Sequence, residues 1–294
     1  MPRAGIVTVV GKPNVGKSTL LNRIVGQKLS ITSPKPQSTR DRVVGIYSDA
    51  DSQMVILDTP GLLNPGYLLQ EAMRSTALRA LDEADVIVYL TDATEGNPPP
   101  LVEAAQLKSL PNAPLITVLN KSDAIPASRL ADIATVAGAD VVSVSALTGD
   151  GIPELMARIA QKLPESPFLY PEDDISTQPV RFFVAEMVRE TVLEQLHDEV
   201  PYAVAVQVEE FRERSSPLYI RAVIYVERDS QKAIIIGSKG AQIKSIGEVA
   251  RKKIELFIGS KVYLDLWVKV LANWRKNPGS LSRFGYQLAT GKSK

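Results

Sequence analysis

The feature that most constrains how this chain can fold is the octapeptide GKPNVGKS at residues 11–18. It matches the pattern G-x-x-x-x-G-K-[ST] and lies between a strand-like apolar run and a helical pattern, the context in which this pattern binds phosphate. Its glycines let backbone N–H groups turn toward phosphate oxygens, and the following helix adds the positive end of its dipole. A chance match in a chain of this length has odds on the order of 1%. The octapeptide therefore predicts a nucleotide-binding domain.

The polar side chains of this loop have distinct expected tasks. Lys17 would place its charge against the β and γ phosphates, and the Ser18 hydroxyl would bind the Mg²⁺ that bridges them. The residues of this segment predicted to touch the nucleotide are Gly11, Lys12, Pro13, Asn14, Val15, Gly16, Lys17, Ser18 and Thr19.

The first 165 residues alternate short β-branched runs with amphipathic segments. Predicted strands cover residues 6–10, 54–57, 86–90, 115–119 and 141–144, and predicted helices include residues 18–25, 68–84 and 152–161. Because most strand runs are almost continuously apolar, both faces of the sheet should be covered. The pattern predicts a doubly wound, mostly parallel α/β domain that binds its ligand at the carboxyl ends of the strands.

The tetrapeptide NKSD at residues 120–123 distinguishes guanine from adenine nucleotides. The Asp123 carboxylate can accept hydrogen bonds from N1–H and N2–H₂ of guanine, whereas adenine would leave it unpaired at a cost of about a few kcal/mol. Asn120 should brace the surrounding loops, and the Lys121 stem should lie over the base. The segment SAL at residues 145–147 should offer a backbone N–H to guanine O6. The residues predicted to form this part of the site are Asn120, Lys121, Ser122, Asp123, Ser145 and Ala146.

Two further segments are expected to respond to the γ-phosphate. In DTPG at residues 58–61, Asp58 would hold Mg²⁺ through water and the Gly61 N–H would sense the γ-phosphate, with a second switch at residues 62–74. The first switch is predicted at residues 33–42, where Thr39 would reach Mg²⁺ only with GTP bound; an ordinary polar surface loop is the alternative. Predicted nucleotide contacts here are Asp58, Thr59, Pro60, Gly61 and Leu62, and the predicted catalytic set is Lys17, Thr39, Asp58 and Gly61.

Hydrolysis should be slow, because Leu62 stands where signalling GTPases usually carry a water-orienting Gln. An alkyl side chain cannot orient water, so the backbone, another residue or a second cation would have to supply this function. Asn14 is the candidate K⁺ contact, since related GTPases with Asn at this position bind K⁺ near the phosphates.

The segment LPESPFLYPEDDISTQPV at residues 163–180 contains four Pro and no periodicity, which indicates a linker. We therefore predict a GTP-binding domain at residues 1–168, a linker at 169–180 and a second domain with a C-terminal tail at 181–294. The second domain should have the order α, β, β, α, β, with elements at residues 181–196, 203–211, 218–226, about 241–258 and 262–270.

Charge is unevenly distributed along the chain, although the formal net charge is only +1. Residues 228–294 hold 14 Lys and Arg against 4 Asp and Glu, whereas residues 1–170 hold 15 against 17 and residues 171–227 hold 5 against 12. The basic end fits either a surface that binds a polyanion or a solvated charged face.

The loop GSKG at residues 237–240 joins the strand-like run AIII to a helix and resembles the GXXG clamp of KH domains, which grips single-stranded RNA. The element order matches the prokaryotic, type II variant. Ile235, Ile243 and Ile246 either line an RNA groove or belong to the core, and Trp274 either stacks a base or anchors the fold. The predicted RNA-binding residues are Gly237, Ser238, Lys239, Gly240, Lys244 and Arg251.

Together these motifs make the whole chain similar to the Era family of bacterial GTPases. The segments that carry the resemblance are GKPNVGKSTLLN, PQSTRDRVVGI, FLYPEDDIS, FFVAEMVRE, IIIGSKGAQIKSIGEVARKKIE, VKVLANWRKN and RFGY. The resemblance implies binding of the 3′ end of 16S rRNA, a role in late assembly of the 30S subunit, and peripheral contact with the inner membrane. One departure is the second switch, GLLNPGYLLQEAMRS, which is shorter and less basic than is usual and leaves its coupling to RNA open.

Composition argues against several other classes of protein. The chain has no Cys and a single His, so Cys-based metal sites and a zinc-binding His cluster are excluded. No run approaches the roughly 20 apolar residues of a membrane span, and the N-terminus does not resemble a secretory signal. We expect a cytosolic monomer that does not bind DNA. A passive RNA-binding assembly factor and a metabolic phosphotransfer enzyme are the alternatives to an RNA-linked GTPase switch.

Overall fold

The structure, a computed structural model, describes residues 1–138 and 140–288. The chain divides into two compact units, of which the first comprises Met1–Gly66 and Gln70–Thr177 and the second begins at Gln178 and also contains Tyr67–Leu69. The end of the predicted C-terminal tail, residues 289–294, lies outside the described residues. Among the described residues, no helix is both long and apolar enough to cross a membrane.

The first unit is built on a six-stranded sheet. Its strands are β1 (Arg3–Val10), β2 (Val43–Ser48), β3 (Ser52–Asp58), β4 (Val86–Asp92), β5 (Leu115–Asn120) and β6 (Val141–Ser143). The helices of this part of the chain are α1 (Lys17–Val25), α2 (Leu68–Asp82), α3 (Leu101–Ala105), α4 (Ala127–Ala137) and α5 (Ile152–Lys162). The strand order is β2-β3-β1-β4-β5-β6, with the β2–β3 pair antiparallel and the other neighbouring strands parallel. The predicted doubly wound, mostly parallel sheet is therefore confirmed.

The parallel strands explain why the sequence motifs converge. Every residue of β3 is buried, and β1 and β4 are buried along most of their length, as their apolar sequences require. The five parallel strands end at one edge of the sheet, and each is followed there by a loop. Those loops contain the octapeptide, DTPG, NKSD and SAL, so the chain brings all four motifs to one edge.

The predicted linker is partly attached to this unit. The amide of Ile46 in β2 donates to the carbonyl of Ile175 (2.9 Å), and the Ser176 hydroxyl donates to the carbonyl of Val44 (2.6 Å). The buried side chain of Gln53 accepts from the amides of residues 169 and 170, at 2.7 and 3.0 Å. The end of this segment therefore lies along the outer strand β2, and the domain limits at residues 168 and 180 stay predictions.

The second unit packs helices on a three-stranded sheet. Its elements are α6 (Val180–Gln195), β7 (Ala205–Arg212), β8 (Leu218–Val226), α7 (Asp229–Ile236), α8 (Ala241–Ile258), β9 (Val262–Val270) and α9 (Pro278–Arg283). Strand β8 is central, antiparallel to β7 and parallel to β9. Alternate residues of β8 enter a core that also contains Ile246, Ala250 and Ile254 of α8, which recur at helical spacing.

The run AIII was expected to be a strand, and this prediction is wrong. It forms the last part of α7, so the GSKG loop joins two helices and the order of elements becomes α, β, β, α, α, β. The helix places Gln231 and Ile235, four residues apart, on its buried face, and the Gln231 side chain accepts from the Glu227 amide near the helix start (2.9 Å). Packing of this face outweighs the strand preference of isoleucine.

Candidate functional site

The phosphate loop lies between β1 and α1, at the carboxyl edge of the sheet. Helix α1 begins directly after Gly16, whose φ of 102° is a left-handed value that favours glycine. A Cβ added to Gly16 would lie 2.2 Å from the Asn120 side-chain nitrogen, so the loop and the NKSD motif pack closely together. A cleft opens beside the loop. It is lined by Pro13, Asn14, Gly16, Lys17, Ser18, Thr19, Thr39 and Gly61, among others.

Lys17 supplies a buried cation to this cleft. Its side chain is only 6% exposed, and Nζ donates to the carbonyls of Gly11 (3.2 Å) and Lys12 (2.8 Å). Burial lowers the pKa of Lys17 to about 8, against the opposing attraction of Asp58. A phosphate chain would give this ammonium group a negatively charged partner, so the geometry suits binding of an anion.

Three oxygen-bearing side chains predicted to act on Mg²⁺ are clustered beside Lys17. The hydroxyls of Ser18 and Thr39 lie 2.9 Å apart and donate to Asp58 Oδ2, at 2.7 and 3.3 Å. The other carboxylate oxygen, Oδ1, is buried and has no hydrogen-bond partner among the described residues. Burial raises the pKa of Asp58, and the Lys17 charge and the neighbouring hydroxyls oppose that effect. Such oxygens are the ligands that Mg²⁺ prefers, so the cluster fits this ion.

A third hydroxyl, that of Ser30, also donates to Asp58 Oδ2, at 2.6 Å. Ser30 is not among the predicted site residues, because no motif marks it and its partner is 28 residues away in the chain. The structure alone brings Ser30 into the cluster.

The DTPG segment contacts the phosphate loop through its backbone. A Cβ on Gly61 would lie 2.7 Å from the Pro13 amide nitrogen, so only glycine permits this approach. The amide of Leu62 donates to the Gly11 carbonyl (3.0 Å), but its side chain is buried in an apolar cluster with Leu81 and Tyr89. No side chain at position 62 is therefore available to orient water.

Asn120 of the NKSD motif connects the phosphate loop to the SAL segment. Its side-chain nitrogen donates to the Val15 carbonyl (2.7 Å), and its oxygen accepts from the Ala146 amide (2.9 Å), which provides the bracing expected from the sequence. Lys121 has left-handed backbone angles, and its ammonium group lies 2.5 Å from Asp92. Asp123 is exposed, and its carboxylate is accessible to a ligand.

The remaining residues of the predicted nucleotide set are structural parts of these loops. Lys12 forms a surface ion pair with Glu95 (3.1 Å), and the Thr59 hydroxyl donates to the Val9 carbonyl inside the core (2.8 Å). The side chains of Val15 and Pro60 are buried. The amide of Ser122 donates to the Val144 carbonyl (3.1 Å), and that of Ser145 to the Asp150 carbonyl (2.9 Å).

The GSKG loop presents its polar residues to solvent. Ser238, Lys239, Lys244 and Arg251 lie at least partly exposed, and Gly237, Lys239 and Gly240 have left-handed φ values of 72°, 52° and 80°. A Cβ on Gly237 would lie 2.8 Å from the Gln242 amide nitrogen, whereas one on Gly240 would meet no atom within 4 Å. The first glycine of the loop therefore packs closely against the chain, whereas the last leaves space for a side chain.

The burial of the apolar residues of this unit shows which of them belong to the core and which are accessible to RNA. Ile235 and Ile246 are fully buried core residues, and Ile243 is half-buried. Trp274 is fully buried, and its ring N–H donates to the Ala203 carbonyl (2.8 Å), so it anchors the fold and cannot stack an RNA base.

Two family models match the chain. One, described as "50S ribosome-binding GTPase", matches residues 6–121, and the other, described as "KH domain", matches residues 199–275. The protein named GTPase Era of Geobacter sp. (strain M21) is 44% identical and covers 97% of this chain and 98% of its own length. The protein of the same name from Carboxydothermus hydrogenoformans is 43% identical, with the same coverage of both chains.

Two solved structures are similar over almost the whole chain. Era in complex with MgGDPNP and nucleotides 1506–1542 of 16S ribosomal RNA has a TM-score of 0.92 at 42% identity, over 98% of this chain and 100% of that chain. A variant of Aquifex aeolicus Era bound to GDP·AlF₄⁻ has a TM-score of 0.91 at 42% identity, over 97% of this chain and 100% of its own. These matches confirm the predicted fold class, a P-loop GTPase domain followed by a KH domain.

Proposed function

This chain belongs to the Era family of GTPases, and we propose that it is a GTP-dependent switch in late assembly of the 30S ribosomal subunit. Its KH domain would bind the 3′ end of 16S rRNA, and slow GTP hydrolysis would control binding and release. The observation that carries this proposal is the 98% coverage of the chain by the Era structure that contains both MgGDPNP and 16S rRNA nucleotides. The basic residues at the surface of the GSKG loop and α8 support an RNA partner.

The proposed subunit follows the solved Era structure that contains 16S rRNA. The family model that names the 50S subunit covers only residues 6–121, which hold most of the nucleotide motifs and no part of the KH domain. The Era structure that is similar over 98% of this chain contains nucleotides of 16S ribosomal RNA. We therefore base the proposed partner on the similarity that includes the RNA-binding unit.

The residues of the cleft would have different roles in GTP hydrolysis. Lys17 would bind the β and γ phosphates, and Ser18, Thr39 and Asp58 would hold Mg²⁺, which neutralises charge on these phosphates when bound. Gly61 is close enough to the phosphate loop for its N–H to report on the γ-phosphate. The burial of Leu62 supports slow turnover, because the usual water-orienting side chain is missing.

Turnover should be roughly tenfold or more faster in K⁺ than in Na⁺, since a second cation near the phosphates would compensate for the missing side chain. Asn14 has a left-handed φ of 63°, and its Nδ2 donates to the Pro34 carbonyl of the first switch (2.9 Å), so its amide oxygen would be the cation ligand. Rates should be measured at matched ionic strength with saturating Mg²⁺, together with GDP affinity in both salts. Equal rates would remove K⁺ from the proposal.

RNA binding should be tested with an oligonucleotide of the 16S rRNA 3′ end and the full-length protein, by fluorescence anisotropy. We expect tighter binding with GDPNP than with GDP. Gly240→Asp should weaken binding roughly tenfold or more, because it adds a negative charge beside the RNA phosphates. The fold should survive, since Asp tolerates left-handed backbone angles and a Cβ at position 240 meets no atom within 4 Å.

Gly259→Asp is the matched control for this experiment. Gly259 lies in the same unit, has a similar φ of 75°, and also offers open space to an added Cβ, but it follows α8 at the end remote from GSKG. Equal losses in the two variants would show a nonspecific charge effect and contradict the assignment of the loop. Identical affinity in the two nucleotide states would contradict the switch.

Further parts of the proposal concern the location of the protein, its oligomeric state and its binding partners. We propose a cytoplasmic protein that is monomeric, does not bind DNA and contacts the inner membrane peripherally. The motif resemblance supports the membrane contact, and the composition supports the cytoplasmic location. Fractionation of cells with and without ribosome-dissociating salt would separate membrane contact from ribosome association.

A further inference from the structure

Asp58 receives one hydroxyl hydrogen bond that the proposed Mg²⁺ site does not account for. Ser18 and Thr39 donate to Oδ2 and are themselves the expected ligands of the ion. The Ser30 hydroxyl donates to the same oxygen at 2.6 Å, the shortest of the three contacts, and has no expected role at the ion. Ser30 is 2% exposed and Asp58 is fully buried, so water does not compete for this bond.

Asn22 of α1 holds Ser30 in place through its side-chain amide. The oxygen Oδ1 accepts from the amides of Leu29 and Ser30, both at 2.9 Å, and the nitrogen Nδ2 donates to the Ser30 carbonyl at 2.8 Å. The backbone of Ser30 is therefore hydrogen-bonded on both sides to a helix that begins at the phosphate loop. This arrangement fixes the Ser30 backbone, from which the hydroxyl extends to Asp58, relative to Lys17 and Ser18.

The position of Ser30 in the chain distinguishes it from Thr39. Ser30 lies three residues before the start of the segment expected to move with the nucleotide, residues 33–42, whereas Thr39 lies within that segment. Leu29 and Ile31, on either side, are buried. The contact between Ser30 and Asp58 can therefore persist when Thr39 leaves the ion.

From this geometry we infer that Ser30, held by Asn22, is a positioning residue that orients the Asp58 carboxylate toward Mg²⁺ in both nucleotide states. The bond at Oδ2 sets the carboxylate so that Oδ1, which has no partner among the described residues, can serve the water shell of the ion. The inference rests on the proposed nucleotide site. Removal of a side chain that is hydrogen-bonded to a metal-binding group typically lowers metal affinity 10–100-fold.

The test is release of fluorescent mant-GDP from the full-length protein as a function of Mg²⁺ concentration. Ser30→Ala should raise the Mg²⁺ concentration that half-maximally slows release by roughly tenfold or more, with unchanged GDP affinity in EDTA. Ser30→Thr keeps the hydroxyl and should remain close to wild type. Asn22→Asp keeps the acceptor but loses the donor, so it should shift the midpoint in the same direction by a smaller factor.

Thr8→Val provides the matched control. It removes another buried hydroxyl of the same unit, which donates to the Ala80 carbonyl at the same distance of 2.6 Å but lies outside the cluster. An equal Mg²⁺ midpoint in Ser30→Ala and Thr8→Val would overturn the inference, as would equal shifts in Ser30→Ala and Ser30→Thr. If Ser30→Ala does not fold, a wild-type midpoint in Asn22→Asp overturns it. A wild-type protein whose GDP release ignores Mg²⁺ would instead refute the proposed nucleotide site.

Discussion

Replacement of Lys17 by Met should lower GTP affinity roughly a thousandfold without destabilising the nucleotide-free protein. The affinity loss follows from two or more charge-assisted contacts to phosphate, each worth about 1.5–3 kcal/mol. Stability should be preserved because burial has lowered the pKa of Lys17 from 10.5 to about 8. The buried charge therefore destabilises the folded state at every pH below about 8. This destabilisation decreases as pH rises toward 10.5. Titration with mant-GTP and thermal unfolding without nucleotide measure the two effects.

The same pKa makes GTP binding pH-dependent in the wild type. Below about pH 8, Lys17 is protonated in both the free and the bound protein, so binding takes up no proton there. Above about pH 8, phosphate binding must reprotonate Lys17, so affinity should fall by up to about tenfold per pH unit. Lys17→Met should lack this slope, and ionisation of guanine contributes equally to both proteins.

Lys162→Met is a suitable control. Lys162 lies in α5, far from the phosphate loop in sequence, and its ammonium group forms an ion pair with Asp140 (2.6 Å). It should keep both the wild-type affinity and the slope. A Lys17→Met protein that still binds GTP tightly would contradict the assigned phosphate contacts, and one that loses its folded state would contradict the argument from burial.

Asp123→Asn should exchange the base preference of the site from guanine to xanthine. In the wild type, the carboxylate would accept from N1–H and N2–H₂ of guanine. An amide would direct its own N–H₂ toward the guanine amino group, and this donor–donor contact should cost roughly 10²–10³-fold in GTP affinity. Xanthine carries an oxygen in place of that amino group, so xanthosine triphosphate should bind the variant better than GTP. Competition of both nucleotides against mant-labelled analogues measures the exchange.

Asp132→Asn, on the exposed surface of α4, is the matched control and should leave the preference for GTP unchanged. A general loss of affinity for all nucleotides in Asp123→Asn would mean that the substitution disturbs the loop. An unchanged preference for GTP over xanthosine triphosphate in Asp123→Asn would show that Asp123 does not select the base.

Much of the fold could be predicted from local patterns. Five of the six strands in the nucleotide-binding unit were predicted within a few residues of their observed ends, because buried parallel strands have continuous apolar sequences. Strand β2 was missed. It contains Gly45, a residue that usually weakens a strand prediction, and a Cβ there would lie 2.6 Å from the Leu21 side chain of α1. The reason for that glycine is a contact between distant segments, which a local pattern does not contain.

The sequence by itself predicted the nucleotide loops, from Lys17 to Asp123, because each motif consists of a few adjacent residues placed at the end of a strand. The tertiary structure alone decided that the Ser30 hydroxyl joins Ser18 and Thr39 at Asp58, that Leu62 is buried and that the AIII run is helical. Each of these depends on contacts between segments far apart in the chain. Hydrogen bonds and packing of that kind leave no local signal, and Ser30, 28 residues from its partner Asp58, is the clearest case.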